Sequence, residues 1–263
     1  MKFHRCIALF TRHMYLYKRS IPRLLEVFYW PLLDLLVWGF ITIYFAQFRE
    51  KLPGFVTYFI GALILWDILF RSQQGISVSF LEDVWSRNLL NLFASPLNPA
   101  EYIFSLMVVS VAKLVIVATV MATLAWILYS FNIFLIGISL IPFILNLIVM
   151  GWAIGIMTTA LILRFGQEAE VLAWAVGILF MPVSAVFYPV SVLPSFLRAL
   201  ARLVPASYVF EGMREVVAAG KFPLSDLLRS SGLNAAYILF ALLFFNWIFK
   251  MVRQKGLLVK IGE

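Results

Sequence analysis

Between Glu101 and Arg164 the chain carries a single charged residue, Lys113. About 20 apolar residues are enough to cross the roughly 30 Å hydrocarbon core of a bilayer, so a stretch of this length reads as membrane-spanning sequence. The pattern extends over the whole chain: 63% of its 263 residues are apolar and 13% charged, against about 45–50% and about 25% in soluble domains. That excludes a soluble globular fold. No polar linker separates the apolar runs, so residues 1–263 read as one domain, an all-α integral membrane protein.

Six stretches are long or nearly long enough to span: residues 26–48, 55–78, 102–129, 133–163, 171–187 and 233–250. An even number puts both termini on one side. Thirteen of the 21 Lys and Arg fall before the first span, after the last, or in the loops on that same side, including Lys2, Arg12, Arg23, Arg71, Arg87, Arg164 and Arg253. Basic residues accumulate on the cytoplasmic side. Both termini are therefore expected in the cytoplasm, with the chain in the cytoplasmic (inner) membrane. The same rule accounts for the net charge of +8, and nucleic acid is not an expected partner. The basic, aromatic start lacks the h-region of a cleaved signal, so the first span is expected to remain. Cys6 is the only cysteine and cannot form an internal disulfide.

Residues 1–22 place Ile7, Phe10, Met14 and Tyr17 at spacings of three and four, with Arg5, Arg12, Lys18 and Arg19 on other faces. This predicts an amphipathic helix in the cytoplasmic interface, ended by Pro22. Residues 82–97 are too amphipathic for a linker. Ser86 is expected to cap a short helix bearing Leu89, Leu90, Leu92 and Phe93, which Pro96 and Pro99 terminate. Spacing leaves two readings open, an interfacial hairpin or a knob for a cytoplasmic protein's groove. Glu82 and Asp83 are neighbours, and charge complementarity at a helix start is their simplest explanation.

Residues 188–220 are apolar although they lie on the outer side. Pro194 suits the first turn of a helix with Leu197, Leu200, Ala201 and Val204 as its stripe, and Pro205 breaks it. A second helix, 206–219, sets Glu211 one turn before Arg214, which predicts a local ion pair. Such a segment dips into the outer leaflet and returns, as a surface hairpin or as a lid. Asp34, Asp67 and Lys113 lie inside spans, where they either pair with one another or form an ion relay. Two histidines, both near the N-terminus, make no metal site or catalytic dyad, and the phosphate-binding G-x-x-x-x-G-K-[ST] pattern is absent. The chain is not expected to be an enzyme, to bind a cofactor or to hold a metal.

The outer sequence FYPVSVLPSFLRALARLVPASYVFEGMREVV resembles the signature of ABC type-2 exporter permeases. The family's aromatic-proline turn, Leu-Pro, second proline and Glu/Arg helix fall on Phe187, Tyr188, Pro189, Leu193, Pro194, Pro205, Glu211 and Arg214. WSRNLLNLFASPLNPAEY, Trp85 to Tyr102, is similar to the family's segment between spans two and three. The resemblance covers nearly the whole chain. It implies a permease that pairs with a second copy of itself and with two separate ATP-binding-cassette ATPase subunits, which bind the ATP and Mg. It also implies a coupling helix over 82–97 seated in the ATPase, with Glu82, Asp83, Trp85, Arg87, Leu89, Leu92 and Pro96 as its coupling residues, and an interface helix over 1–22 beside it. Tyr188, Pro189, Pro194, Pro205, Glu211 and Arg214 would form the outer gate.

Aromatic and acidic residues in spans one, two and five supply candidates for a path between protomers: Asp34, Tyr58, Trp66, Asp67, Trp174, Phe180 and Phe187. The expected function is export of an amphipathic substrate (a drug, lipid or lipid-linked glycan), with membrane lipids as surroundings. The alternative is an ion- or proton-coupled carrier using Asp34 and Asp67. A membrane enzyme is the third reading, and the absence of a catalytic cluster argues against it.

Overall fold

A computed structural model describes residues 2–48, 55–129 and 141–257. Helices dominate, and no strand occurs among the described residues. They are α1 (Phe3–Lys18), α2 (Ile21–Phe48), α3 (Phe55–Trp85), α4 (Leu89–Ala94), α5 (Pro99–Tyr129) and α6 (Ile141–Phe165), followed by α7 (Leu172–Phe180), α8 (Ser195–Ala201), α9 (Pro205–Ala219) and α10 (Leu224–Gln254). The first eight residues of the expected span 133–163 lie outside the described residues.

Helix α1 ends at Lys18 rather than at Pro22. Pro22 instead falls in the first turn of α2, where a missing backbone N–H leaves no bond unmade. The face of α1 that packs on the protein also differs from expectation. Cys6, Leu9 and His13 are buried while Ile7 is exposed. The helix thus turns inward an edge that includes a histidine, for a reason that lies on α3.

Helix α3 is the element around which the others pack. Its main neighbours are α6 and α5. At about 1.5 Å per residue, its 31 residues reach about 46 Å, longer than the bilayer core. On the α6 side the approach is close: a Cβ on Gly151 would lie 2.6 Å from the Leu69 carbonyl oxygen and 2.7 Å from Ser72 Cβ. Gly155 sits likewise against Gln73. Small residues bring helices together in the membrane, where dispersion rather than water exclusion drives packing. Two polar side chains of α3 donate to carbonyls, one on α3 itself and one on α7. Ser72 donates to the Ile68 carbonyl at 2.7 Å, and the Gln73 amide donates to the Ala173 carbonyl at 2.9 Å.

Two apolar clusters fill the bundle. One, at the end carrying α9, contains Leu65, Leu69, Phe143 and Phe210. The other, at the end carrying α1 and here called the inner end, contains Phe80, Leu81, Phe245 and Phe249. Large apolar side chains such as Trp126, Ile127, Leu243 and Trp247 remain exposed on the outside of the bundle, as expected of a lipid-facing surface.

Among the described residues four helical segments are long and apolar enough to cross a membrane: Ile21–Tyr44, Pro99–Tyr129, Ile141–Ala169 and Leu224–Gln254. Two of the six expected spans are not among them. Helix α3 is long enough, but Asp67, Arg71 and the glutamines beside them lower its hydropathy. The expected fifth span, 171–187, is helical only from Leu172 to Phe180, about 14 Å. Turns carry the chain on to Tyr188.

The α3–α6 contact leaves no room for a side chain at Gly151. Gly151→Val should lower stability by about 1–3 kcal/mol, read as a fall in unfolding temperature in detergent. Gly232→Ala, at a helical site with nothing within 4 Å, should leave it unchanged or raise it.

Candidate functional site

Helix α3 ends in two adjacent carboxylates, Glu82 and Asp83, both buried. This corrects the expectation that they serve a helix start. They stand at the C-terminal end, where the helix dipole repels negative charge. Buried carboxylates there require cations and donors, and α1 and α5 supply them. Arg12 Nη1 lies 2.5 Å from Asp83 Oδ1, and the Tyr102 hydroxyl donates to Asp83 Oδ2 at 2.7 Å. The Tyr17 hydroxyl donates to Glu82 Oε1 at 2.6 Å, and Arg23 Nε stands 3.8 Å from the same oxygen. Lys113 closes the group by donating to the Tyr17 and Ser79 hydroxyls at 2.5 and 2.8 Å.

His13 sits fully buried between the two acids, its ring nitrogens 3.8 Å from Glu82 Oε2 and 3.7 Å from Asp83 Oδ2. Neither nitrogen is within hydrogen-bonding range of a partner. Among the described residues no group of three or more His, Cys, Asp and Glu is placed to hold a metal ion.

The chain turns sharply after α3. Arg87 adopts a positive φ of 52°, and α4 follows. Ser86 does not cap it, because its hydroxyl donates back to the Asp83 carbonyl and Asn88 occupies the cap position. Leu89 is buried, while Leu92 and Phe93 are half-buried. Phe93 meets Tyr102 and Phe249 edge-on at 5.4 and 4.8 Å. The opposite face, with Arg87, Leu90 and Asn91, is exposed. At the far end Arg5 donates to the Pro96 carbonyl and pairs with Glu101 at 3.2 Å. Helix α1 thus holds the 82–97 segment at both ends.

The other end of the bundle has its own fixed point. Arg214 donates to the carbonyls of Ala185, Val186 and Tyr188, the last at 2.6 Å. Its Nη1 pairs with Glu211 at 3.0 Å, and Glu211 accepts the Val190 amide at 2.6 Å. The guanidinium also lies 5.0 Å over the ring of Tyr58, whose hydroxyl donates to Val186. Buried backbone that belongs to no helix needs other donors for its carbonyls, and Arg214 supplies them for the turns after α7. Within these turns Phe187 stacks between Phe59 and Trp38, at 5.3 and 5.5 Å.

The chain matches the family model described as ABC-2 family transporter protein over residues 37–247. It belongs to the ABC-2 transporter permease family. None of the curated proteins compared with it matches. The permease is therefore a multi-pass membrane subunit of an ABC transporter, a transport subunit rather than the ATPase, and it associates with an ATP-binding-cassette partner.

Within this permease the expected path residues separate. Tyr58 and Phe187 meet at the Arg214 site. Trp66 is buried in the core, stacked on Phe70 at 6.5 Å, and Phe180 is partly buried against the same cluster. Trp174 lies instead at the inner end, stacked on Trp85 at 6.5 Å, with Trp85 Nε1 donating to Glu170 at 3.0 Å. Asp34, Asp67 and Lys113, expected either to pair with one another or to form a relay, do not gather in one group, although Asp34 lies within electrostatic reach of Asp67 and Arg71. Asp67 pairs with Arg71 one turn on, at 3.1 Å, and Lys113 joins the Glu82 group through Tyr17. Asp34 is exposed on α2. Pro194 caps α8, and Pro205 opens α9 rather than only ending the helix before it.

Helical spacing does not reveal His13 and Tyr17, whose partners lie 65 or more residues away, nor Tyr102, whose partner Asp83 lies 19 residues back across a turn. The one available signal is complementary: adjacent basic Arg12-His13 and adjacent acidic Glu82-Asp83.

Burial alone would raise the pKa of Glu82, but His13, Lys113 and Tyr17 outweigh it and hold the carboxyl below its ordinary value of 4.5. A lowered folded-state pKa stabilises the docked helix fully above the ordinary value, and the effect is lost as pH falls through the lower folded value. Hydrogen exchange in α1, corrected for intrinsic rates, should therefore stay slow at neutral pH and accelerate as the solution is acidified below pH 4.5. Glu82→Gln should flatten that dependence. At the other end, Arg214→Ala strips three carbonyls of their donor. Limited proteolysis should then cut the 181–194 turns several-fold faster, with about 1–3 kcal/mol lost in stability.

Proposed function

We propose that this permease is the membrane half of an ATP-driven exporter that moves an amphipathic substrate out of the cytoplasm or inner leaflet. In this reading two copies pair, two ATPase subunits bind the ATP and Mg, and both termini lie on the cytoplasmic side of the inner membrane. Residues 82–97 form the coupling segment. The observation that carries the reading is that α1 fastens this segment at Asp83 and again at Pro96 while Arg87, Leu90 and Asn91 face outward.

A short helix held at both ends transmits a push instead of yielding to it. Glu82, Asp83, Leu89, Leu92 and Pro96 position that face, Trp85 ties it to α7, and Arg87 belongs to the docking surface. Opening of the substrate path between protomers then requires the Phe187 stack to part, with Tyr58, Glu211 and Arg214 holding the turns that carry it, and with Tyr188, Pro189, Pro194 and Pro205 shaping the gate. The ring-lined surface suits a substrate with an apolar part. A carrier working through Asp34 and Asp67 has less support, because Asp67 is already paired with Arg71.

Co-expression with a candidate ATPase and reconstitution should give ATP turnover above that of the ATPase alone. Arg87→Glu and Leu90→Asp, both on the exposed face, should reduce that increment at least tenfold while the unfolding temperature stays unchanged. Leu92→Asp is expected to lower both, since Leu92 is half-buried. Absence of association with an ATPase, together with proton-driven uptake that Asp67→Asn abolishes, would overturn the reading.

A further inference from the structure

The elbow between α1 and α2 holds a hollow of about 290 Å³ lined by Arg12, Tyr15, Leu16, Arg19, Ser20 and Arg23. Three arginines line it within a dozen residues of sequence. Arg12 and Arg23 each turn one edge to a buried carboxylate, Asp83 and Glu82, yet their side chains remain 29% and 32% exposed. Arg19 meets no carboxylate among the described residues and lies 5.9 Å over the ring of Tyr15. Two carboxylates face three arginines, which leaves the hollow with an excess of positive charge.

We propose that this hollow binds the phosphate of an anionic phospholipid in the leaflet on which α1 lies. Its position selects that ligand. The elbow is where the chain passes from an amphipathic helix with Phe3, Ile7 and Tyr15 exposed into a helix apolar enough to cross the membrane, beginning at Ile21. That transition lies at headgroup depth. Guanidinium forks match phosphate oxygens in pairs, and the first turn of α2 adds the positive end of a helix dipole. Basic pockets beside spans are the general form of anionic headgroup sites.

The consequence is mechanical. Arg12 and Arg23 hold the acidic end of α3 with one edge and the headgroup with the other. A bound lipid therefore ties the end of α3 to the membrane surface. The inference rests on the chain being a membrane protein and not on the direction of transport.

The test uses the purified full chain in mixed micelles, titrated with dioleoylphosphatidylglycerol or dioleoylphosphatidylcholine, with bound lipid counted by native mass spectrometry. Phosphatidylglycerol should bind at least fivefold more tightly than phosphatidylcholine. Arg19→Ala should cut that preference about fivefold, the effect of one basic charge near a membrane surface, and Arg19→Lys should keep most of it. An unchanged unfolding temperature in phosphatidylcholine shows that the variants are folded, and Arg19→Glu, which should abolish the preference, gives a second reading. Inorganic phosphate at millimolar concentration should not displace the lipid. Equal binding of the two lipids, or a preference that survives Arg19→Ala and Arg19→Glu, overturns the proposal. Displacement by inorganic phosphate assigns the hollow to a soluble phosphate compound and overturns the lipid assignment. Arg19→Ala that leaves lipid preference intact but weakens association with the ATPase assigns the hollow to the protein partner, and likewise overturns it.

Discussion

A charge taken out of water must be paired, and α3 is a buried helix that carries several. That constraint organises the molecule. Asp67 is answered within α3 by Arg71, but Glu82 and Asp83 stand at the helix end whose dipole opposes them, with no cation of their own helix in reach. Their partners come from α1, α2 and α5. The docking of an N-terminal amphipathic helix against the bundle therefore follows from two carboxylates far along the chain, and α1 buries His13 beside Cys6 and Leu9.

The same contacts give the inner end its mechanical character. Helix α4 has six residues, too few to hold a direction by itself. It is stiff because Leu89 is buried beneath it, Phe93 is wedged among aromatic rings, and Arg5 and Arg12 grip the chain on either side. Force applied to its exposed face is delivered to α1 and α3 together. Trp85 extends the link sideways to Trp174 and hence to α7, whose other end leads to the turns held by Arg214. The permease is thus fastened at both ends by arginines on carboxylates or carbonyls, with close glycine-mediated packing between.

These two fastenings differ in kind. At the inner end, charges neutralise charges, so the contact responds to pH. At the far end a single guanidinium gathers backbone carbonyls that have no helix to belong to, so its role is to satisfy irregular backbone. A helical seventh segment running on to Phe187 would need no such residue. The price of ending α7 at Phe180 is Arg214.

Much of this was legible in the chain itself. Long uncharged runs demand helices because lipid offers the backbone no other partner, and the turn-rich outer motif with its Glu211–Arg214 spacing identifies the family and its local ion pair. Local rules sufficed wherever the interacting residues lie within one or two helical turns. They failed where partners are distant. Nothing in spacing says that Arg12 meets Asp83, that Lys113 joins Tyr17 rather than an aspartate, or that Trp174 stacks on Trp85 instead of lining a path with Phe187. Sequence periodicity specifies which face of a helix is apolar, whereas tertiary packing decides which buried charges the other face must satisfy. In a membrane protein that second decision governs, because an unpaired charge costs more than an apolar face left to lipid.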